Sequence, residues 1–364
     1  MKKDSKKIVL TGGHAGTTGL SVAQEIRKQG LNWNIHWIGS TKSIEGKSIQ
    51  SLESKYFKKY GVFFHPIVAG RIQRKFTFWT IPSFLKIPVG FVQAFFYLLK
   101  IKPFVVLSFG GYASFPVVVV ANFFKIPVFI HEQTAVAGRA NLASERFADK
   151  ILLSRNKSKK FFSKKKSIVV GNPILSEYFK RNKRRELVDK TILITGGSRG
   201  SQIINNLVKE SLEELLDEFK IVHVSGELDF RKLEKIKNGL SNEKKEKYKL
   251  FSTVDPLKMI DLYKQSDFVI SRAGANTVSE LIALKKPTLF IPIPWSYLNE
   301  QNENAEFSSL YIPMKILYQD KLTKEVFLGE IFSFVNSDLS FIHKESPDKQ
   351  ASKRIVDFIE GYIK

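Results

Sequence analysis

The sequence predicts an α/β protein of two Rossmann-like domains whose parallel sheets face each other across a cleft. Two glycine-rich turns carry that prediction. IVLTGGHAGTTG (Ile8–Gly19) and ILITGGSRGSQ (Ile192–Gln202) each leave an apolar strand and open a helix. A strand ending in Gly-Gly at a helix start lets backbone N–H groups approach an anion. One such turn is a weak signal, because glycine also serves tight strand-to-helix turns on steric grounds alone. A second copy, opening a second βα series, points to paired lobes with a phosphate-bearing ligand between them. Length agrees: 364 residues exceed one compact core and suit two domains of roughly 150–200 residues. An apolar share of 43% is enough to fill both cores.

Taken in order, short apolar runs predict strands at Lys7–Thr11, Asn34–Ile38, Phe104–Phe109, Val128–His131, Lys150–Ser154 and Ser167–Val170. Helices are expected between them near Leu20–Gln29, Val89–Lys100, Pro116–Phe124 and Ala137–Phe147. The second half repeats the alternation, with strands at Thr191–Thr195, Lys220–Ser225, Tyr248–Phe251, Phe268–Ser271 and Thr288–Ile291. Its helices fit Gln202–Phe219, Asp229–Gly239, Lys258–Gln265, Ala275–Leu284 and Asn302–Leu310. Apolar strands alternating with helices argue for parallel sheets covered on both faces. A GNP turn followed by a charged stretch places the domain boundary near Gly171–Leu187, and a last helix, Ala351–Ile363, follows Pro347.

With no cysteine, disulfides and thiolate metal sites are excluded and a reducing cytoplasm is the expected home. MKKDSKKIVL runs straight into a strand without an apolar h-region, so no signal peptide is expected. No run reaches the ~18 apolar residues of a spanning helix. The formal charge of +23 speaks to partners and not to fold: nucleic acid, an anionic membrane surface or a phosphorylated substrate. A lysine-rich proteome, with charge spread over solvated faces, accounts for it equally well. Basic residues crowd the stretch Arg155–Lys190. The segment Phe76–Val106 holds an apolar helix bordered by Lys86, Lys100 and Lys102, with Pro82 and Pro88 at its start. Such a helix is either buried core or an interfacial patch whose rings enter lipid while lysines meet headgroups.

Three more constellations follow. SFGGYASFP (Ser108–Pro116) repeats the strand, Gly-Gly turn and helix; IHEQTAVAGRAN (Ile130–Asn141) puts His131, Glu132 and Gln133 at a strand end, where α/β sheets bind ligands. SRAGANTVSE (Ser271–Glu280) is followed by PIPWSYLNEQNENA (Pro292–Ala305). Gly274 opens a helix in which Glu280 can grip vicinal ribose hydroxyls, as the acidic residue of a dinucleotide site does. Asn299, Gln301 and Asn304 supply amides suited to sugar hydroxyls. Taken singly, each fits a plain structural role too, Glu280 as a solvated helix residue and His131 as a satisfied polar group.

In this order the motifs TGGH, SFGGYxSxP, HEQ with AGxxN, GNP, GGSxGxxxxN, SRAGAxTVSE and QxxNA are no longer independent. From Thr11 to about Ala305 the chain resembles the muramoyl-pentapeptide N-acetylglucosaminyltransferases of glycosyltransferase family 28, peripheral membrane enzymes of peptidoglycan synthesis. The resemblance implies a GT-B fold. Residues 1–170 would bind the acceptor, undecaprenyl-diphospho-muramoyl-pentapeptide, and associate with the cytoplasmic face of an anionic membrane. Residues 171–345 would bind UDP-N-acetylglucosamine, and 346–364 would return to the first domain. An α-linked donor would be inverted to a β-1,4 product. Gly12, Gly13 and His14 would lie beside the acceptor diphosphate, Gly110, Gly111 and Tyr112 would form a second acceptor loop, and His131, Glu132 and Gln133 would join the acceptor side. Ser198 would contact donor phosphate or sugar, Gly274 and Ala275 would present N–H to phosphate, and Glu280 would hold ribose. Gln301 and Asn304 would read the N-acetylglucosamine hydroxyls, with uracil near Val254–Met259.

An inverting transfer needs a base, and imidazole titrates near neutrality, which makes His14 the candidate, worth about 10²–10⁴ in rate. Helix N-termini and loop amides can stabilise the departing diphosphate, so no cofactor or metal is required, with magnesium assistance open. The chain departs from the family pattern in its first loop (LTGGHAGTTG), at Thr134 after HEQ, and at Glu300 before Gln301. Four other readings stand beside this one: a UDP-sugar transferase acting on diacylglycerol, a nicotinamide oxidoreductase, a nucleic-acid binder and a catalytically silent membrane-surface scaffold. Neither glycine turn fits GxGxxG with an acidic residue ~20 positions on, and no aromatic-basic nucleic-acid module is present, so no nucleic-acid partner is expected.

Overall fold

A computed structural model of the chain describes residues 5–13, 15–42, 50–68, 70, 80–180, 190–197, 199–337, 339 and 342–363. It divides into two units, Met1–Leu175 with Gln350–Lys364, and Ser176–Lys349.

The first unit holds β1 (Lys6–Thr11), β2 (Trp33–Gly39), β3 (Phe63–Pro66), β4 (Val105–Ser108), β5 (Val128–Glu132), β6 (Lys150–Leu153) and β7 (Ser167–Val169). They form one sheet in the order β3-β2-β1-β4-β5-β6-β7, every neighbour parallel. Ile8, Val9 and Leu10 of β1 and Val105, Val106 and Leu107 of β4 are fully buried. Consecutive apolar residues can be buried only where helices cover both sheet faces, which is why these strands read as runs and not as alternations. The second unit holds β8 (Thr191–Thr195), β9 (Lys220–Val224), β10 (Tyr248–Phe251), β11 (Phe268–Ser271), β12 (Thr288–Phe290) and β13 (Met314–Ile316). Its order is β10-β9-β8-β11-β12-β13, again all parallel.

Each order reverses once, between β1 and β4 and between β8 and β11. At such a switch point the connections leave in opposite directions, and a crevice opens at the carboxyl ends of the two strands. The glycine turns after β1, β4 and β8 and the SRAGA turn after β11 all lie there.

The helix expected at Leu20 begins at Gly16 and runs to Lys28. The apolar helix expected at Val89 spans Thr80–Ile101 and passes through Pro88, which forgoes one backbone hydrogen bond. Edge strands β3 and β13 and the helices Leu52–Tyr56, Asn242–Lys247 and Lys324–Asn336 were not expected from the sequence. The final helix, Ala351–Ile363, lies on the first unit. Gln29 Nε2 donates to Asp357 Oδ1 at 3.0 Å, Arg354 Nε donates to the Val170 carbonyl at 2.7 Å, and Phe129 meets Phe358 and Tyr362 edge-on.

Candidate functional site

In the first unit the turns after β1 and β4 touch. Gly13 N–H donates to the Gly110 carbonyl at 2.8 Å. Gly111 has φ +91°, and a Cβ there would stand 2.7 Å from Gly13 N, so only glycine lets the two backbones approach. Tyr112, half-buried, follows in the same turn. His14 lies outside the described residues. The helix Gly16–Lys28 has no side-chain N-cap and no acidic residue in its first turn. Glu53, buried on the helix Leu52–Tyr56, fills that place: its carboxyl carbon is 3.2 Å from where a Gly16 Cβ would be. A carboxylate at the positive end of a helix is favourable. The first helix start thus already has one of the protein's own carboxyl groups beside it.

Of the HEQ residues, His131 and Glu132 are buried and Gln133 is half-buried. His131 is fully buried, its Nε2 3.0 Å from the Gly171 carbonyl, which can only accept; Nε2 therefore carries the hydrogen. Both Glu132 oxygens are engaged. Oε1 accepts from Thr134 N–H (3.0 Å) and Thr134 Oγ1 (2.8 Å), and Oε2 accepts from Gly138 N–H (2.8 Å) and Asn141 Nδ2 (2.8 Å). Gln133 Nε2 donates to the Phe109 carbonyl at 3.3 Å. Glu132 therefore shapes the loop 134–141 and sets Asn141 beneath Gly110, where a Cβ would come within 2.5 Å of Asn141 Oδ1. Thr134, a departure from the family pattern, supplies two of those bonds, one of them through its side-chain hydroxyl. Glu132→Ala should cost the fold about 3–5 kcal/mol, since each hydrogen bond to a charged group contributes about 1.5–3 kcal/mol and the four act together. Urea denaturation measures it; a loss below ~1 kcal/mol contradicts this role.

An apolar face crosses the surface of the same unit. On the helix Thr80–Ile101, Ala94, Leu98 and Ile101 are buried, while Val92 and Phe96 are 55% and 62% exposed. Phe123, 73% exposed, extends the face through Phe124 and Phe95, whose rings are 5.0 Å apart. The helix is thus core on one side and open apolar surface on the other. Among the described residues, no helix is long and apolar enough to cross a membrane. Part of the basic stretch, Lys157, Lys159, Lys160 and Lys164 with Asn156 and Ser167, lines an open cavity of about 430 Å³.

In the second unit the glycine turn after β8 is wedged against the turn after β9. Gly200 has φ +74°, and a Cβ there would stand 2.1 Å from the Ser225 carbonyl oxygen. Ser198, expected at the donor, lies outside the described residues. Beneath the turn runs a buried polar chain. Asn205 Nδ2 donates to the Ser225 carbonyl (2.9 Å) and Asp229 Oδ2 (2.8 Å), so its Oδ1 accepts from His223 Nε2–H at 3.0 Å. His223 Nδ1 then accepts from the Tyr248 hydroxyl at 2.9 Å. Burial drops the His223 pKa to about 3, so the ring is neutral as this chain requires.

Arg272, which sequence reasoning left without a role, is buried where β11 ends. It donates to Ser201 Oγ (3.1 Å), the Ile291 and Pro292 carbonyls (2.8 and 3.0 Å) and Gln319 Oε1 (3.0 Å). Burial lowers its pKa to about 10, which leaves it cationic at neutral pH. One guanidinium thus ties together the turns on both sides of the switch point. Gly274 is the N-cap of the helix Ala275–Leu284, without a side-chain cap, and a Cβ on it would meet nothing within 4 Å. A helix N-terminus without a side-chain cap suits a phosphate. Glu280, on the same helix, is only 6% exposed; burial pushes its carboxyl up to about 8, against hydrogen bonds from Tyr178 and Tyr263 that act the other way.

Gln301 Oε1 accepts from Ile293 N–H at 3.0 Å, leaving its Nε2 without a bond to any described residue. Asn304 is buried and donates through Nδ2 to the Ala273 carbonyl at 3.1 Å, so it braces the SRAGA turn from behind. Just before Gln301, Leu298 and Asn299 both hold left-handed backbone (φ 53° and 56°), a costly pairing for non-glycine residues that concentrates at functional sites. Asp255 Oδ1 accepts from Leu257 N–H at 2.9 Å and caps the helix Pro256–Gln265, with Val254 and Met259 half-buried beside it. Among the described residues, no group of three or more His, Asp or Glu side chains is placed to hold a metal ion.

Comparison with known proteins places the chain in a family. The family model of the glycosyltransferase family 28 N-terminal domain matches residues 8–153, and that of the C-terminal domain matches 191–353. A Treponema denticola protein is 36% identical over 92% of this chain and 88% of its own. A Clostridium tetani protein is 32% identical over 98% of both chains. Both are named UDP-N-acetylglucosamine–N-acetylmuramyl-(pentapeptide) pyrophosphoryl-undecaprenol N-acetylglucosamine transferase. The crystal structure of Acinetobacter baumannii MurG matches with a TM-score of 0.64 and 23% identity, covering 98% of this chain and 99% of that one. The fold expected from the sequence, GT-B with two parallel-sheet α/β domains, is the one found.

Proposed function

The chain belongs to glycosyltransferase family 28, and from that premise we propose that it transfers N-acetylglucosamine from UDP-N-acetylglucosamine to the muramoyl 4-hydroxyl of undecaprenyl-diphospho-muramoyl-pentapeptide. The observation that carries this reading is the helix Ala275–Leu284, which joins an N-terminus at Gly274, with no side-chain cap and room for a Cβ, to the carboxyl of Glu280. A nucleoside diphosphate presents matching groups in the same order, phosphate oxygens and then vicinal ribose hydroxyls.

In this reading Gly274 and Ala275 offer backbone N–H to the donor diphosphate, where the helix dipole takes up charge as UDP departs. Glu280 accepts from the ribose hydroxyls, and Gln301 Nε2 donates to a sugar hydroxyl. On the acceptor side the touching turns Gly12–Gly13 and Gly110–Tyr112 hold the lipid diphosphate, and His14 takes the proton of the attacking hydroxyl. Glu132 with Gln133 and His131 positions the loop behind Gly110.

The exposed face of Val92, Phe96, Leu99 and Phe123, with Lys100, Lys102 and Lys125 near it in the chain, rests on the cytoplasmic surface of an anionic membrane. A buried phenylalanine contributes about 1.5–3 kcal/mol, so Phe96→Ser with Phe123→Ser should weaken binding to anionic vesicles at least about tenfold. Co-sedimentation with such vesicles checks it; unchanged binding contradicts the membrane role. The function is tested by mixing the protein with UDP-N-acetylglucosamine and a short-chain muramoyl-pentapeptide lipid and following UDP release. Release dependent on that lipid supports the proposal. Release only with diacylglycerol refutes it in favour of a related transferase.

A further inference from the structure

Glu280 is held from behind by groups that the ribose assignment does not itself require. Tyr178, from the turn Ser176–Phe179, and Tyr263, from the helix Pro256–Gln265, are each 2% exposed. Their rings lie 6.2 Å apart, and both hydroxyls hydrogen-bond the Glu280 carboxylate. The Thr277 hydroxyl, one turn earlier on the Glu280 helix, also hydrogen-bonds Tyr263. Burial and the neighbouring carboxylate push both tyrosines well above their ordinary range, so they stay protonated donors throughout the working pH range. A carboxylate offers about four lone-pair sites. Two are taken by the tyrosines, which leaves about two for further donors.

We propose that Tyr178 and Tyr263 are positioning residues that orient the Glu280 carboxylate for two adjacent hydroxyls, making the site select a ribonucleotide over a 2′-deoxyribonucleotide. Two hydroxyl oxygens on neighbouring ring carbons can both reach a carboxylate only if its plane is fixed. A carboxylate free to rotate serves one hydroxyl nearly as well as two, so loss of the tyrosine hydroxyls relaxes the choice and leaves binding of the rest of the ligand. The inference rests on the assignment of Glu280 to the ribose, and the experiment separates the two.

The dissociation constants of UDP and 2′-deoxy-UDP are measured on the full-length protein and on Glu280→Gln, Tyr178→Phe, Tyr263→Phe and the double phenylalanine variant. The wild type should prefer UDP by about 10-fold or more, the scale of one hydrogen bond to a charged group. Glu280→Gln should lose most of that preference. Each phenylalanine variant should lower the ratio, and the double variant should bring it below ~3, with donor KM rising more than kcat falls. A ratio is insensitive to a general loss of stability, so a purely structural role for the tyrosines would leave it in place. Thr277→Val, which frees the Tyr263 hydroxyl without emptying the core, should lower the ratio too and stands in where the double variant does not fold. Wild-type preference retained in Glu280→Gln overturns the ribose assignment and the inference with it. Preference lost in Glu280→Gln but retained in the tyrosine and Thr277 variants overturns the inference alone.

Discussion

Glu280→Ala should weaken UDP binding by about 10- to 100-fold, with the larger loss at higher pH. Each ribose hydroxyl donating to a carboxylate contributes about 1.5–3 kcal/mol, but part of this is offset by the state of the free protein. Burial holds the Glu280 carboxyl at about 8, so at pH 7 most free molecules carry its proton. Hydroxyl donors favour the ionised form, and binding therefore expels that proton. UDP affinity should rise by up to about tenfold per pH unit from 6 towards 8 and level off above it, one pKa unit being 1.36 kcal/mol. Glu280→Gln should flatten the profile. The linkage with folding has the opposite sense. The folded value, about 8, lies above the ordinary 4.5, so this group's contribution to stability is complete below 4.5 and is lost as the pH rises through 8. Calorimetric titration with UDP in two buffers of different ionisation enthalpy measures the released proton; an affinity independent of pH between 6 and 8 contradicts the account.

Gly200→Ala should abolish measurable donor binding and destabilise the second unit by more than about 3 kcal/mol. Two effects combine. The φ of +74° disfavours any residue with a Cβ by about 1–2 kcal/mol. The added Cβ would also stand 2.1 Å from the Ser225 carbonyl oxygen and 2.9 Å from Gly226 Cα. Both neighbours are backbone, and Ser225 is pinned by Asn205, so no flexible side chain can move aside. Gly274→Ala is the matched contrast: a Cβ there meets nothing within 4 Å, and its φ of −66° suits any residue. That variant should unfold at the wild-type urea concentration while its donor KM rises, because the proposed function puts a phosphate where the added methyl would stand. Urea denaturation with UDP titration of both variants checks the pair. A stable, UDP-binding Gly200→Ala would show that the glycine turn is not built as described.

Much of the architecture was legible because parallel strands covered on both faces must be apolar throughout, as in IVL of β1 and ILI of β8. Two of the four edge strands carry no such signal. β3 (FFHP) and β13 (MKI) pair on one side only, are three or four residues long and mix polar with apolar side chains. Helix starts at glycine turns were read late, since GTTG resembles loop by composition while Gly16 in fact begins the first helix turn. Candidate residues on a single motif, such as Gly274 and Glu280, could be placed on one helix from spacing. The groups that support them could not: Glu53, Tyr178 and Tyr263 reach their targets from other segments, and only the fold brings them there. The same holds for Glu132, whose motif suggested a ligand contact and whose four bonds close on its own loop.

The most direct test of the central claim is the structure of the product. The protein is incubated with UDP-N-acetylglucosamine and a short-chain muramoyl-pentapeptide lipid, and the isolated product is characterised by mass and by the anomeric proton coupling in its NMR spectrum. The account predicts one added N-acetylglucosamine, β-linked to the muramoyl 4-position, with one UDP formed per linkage. An α linkage, or UDP formed with free sugar and unmodified lipid, would contradict it.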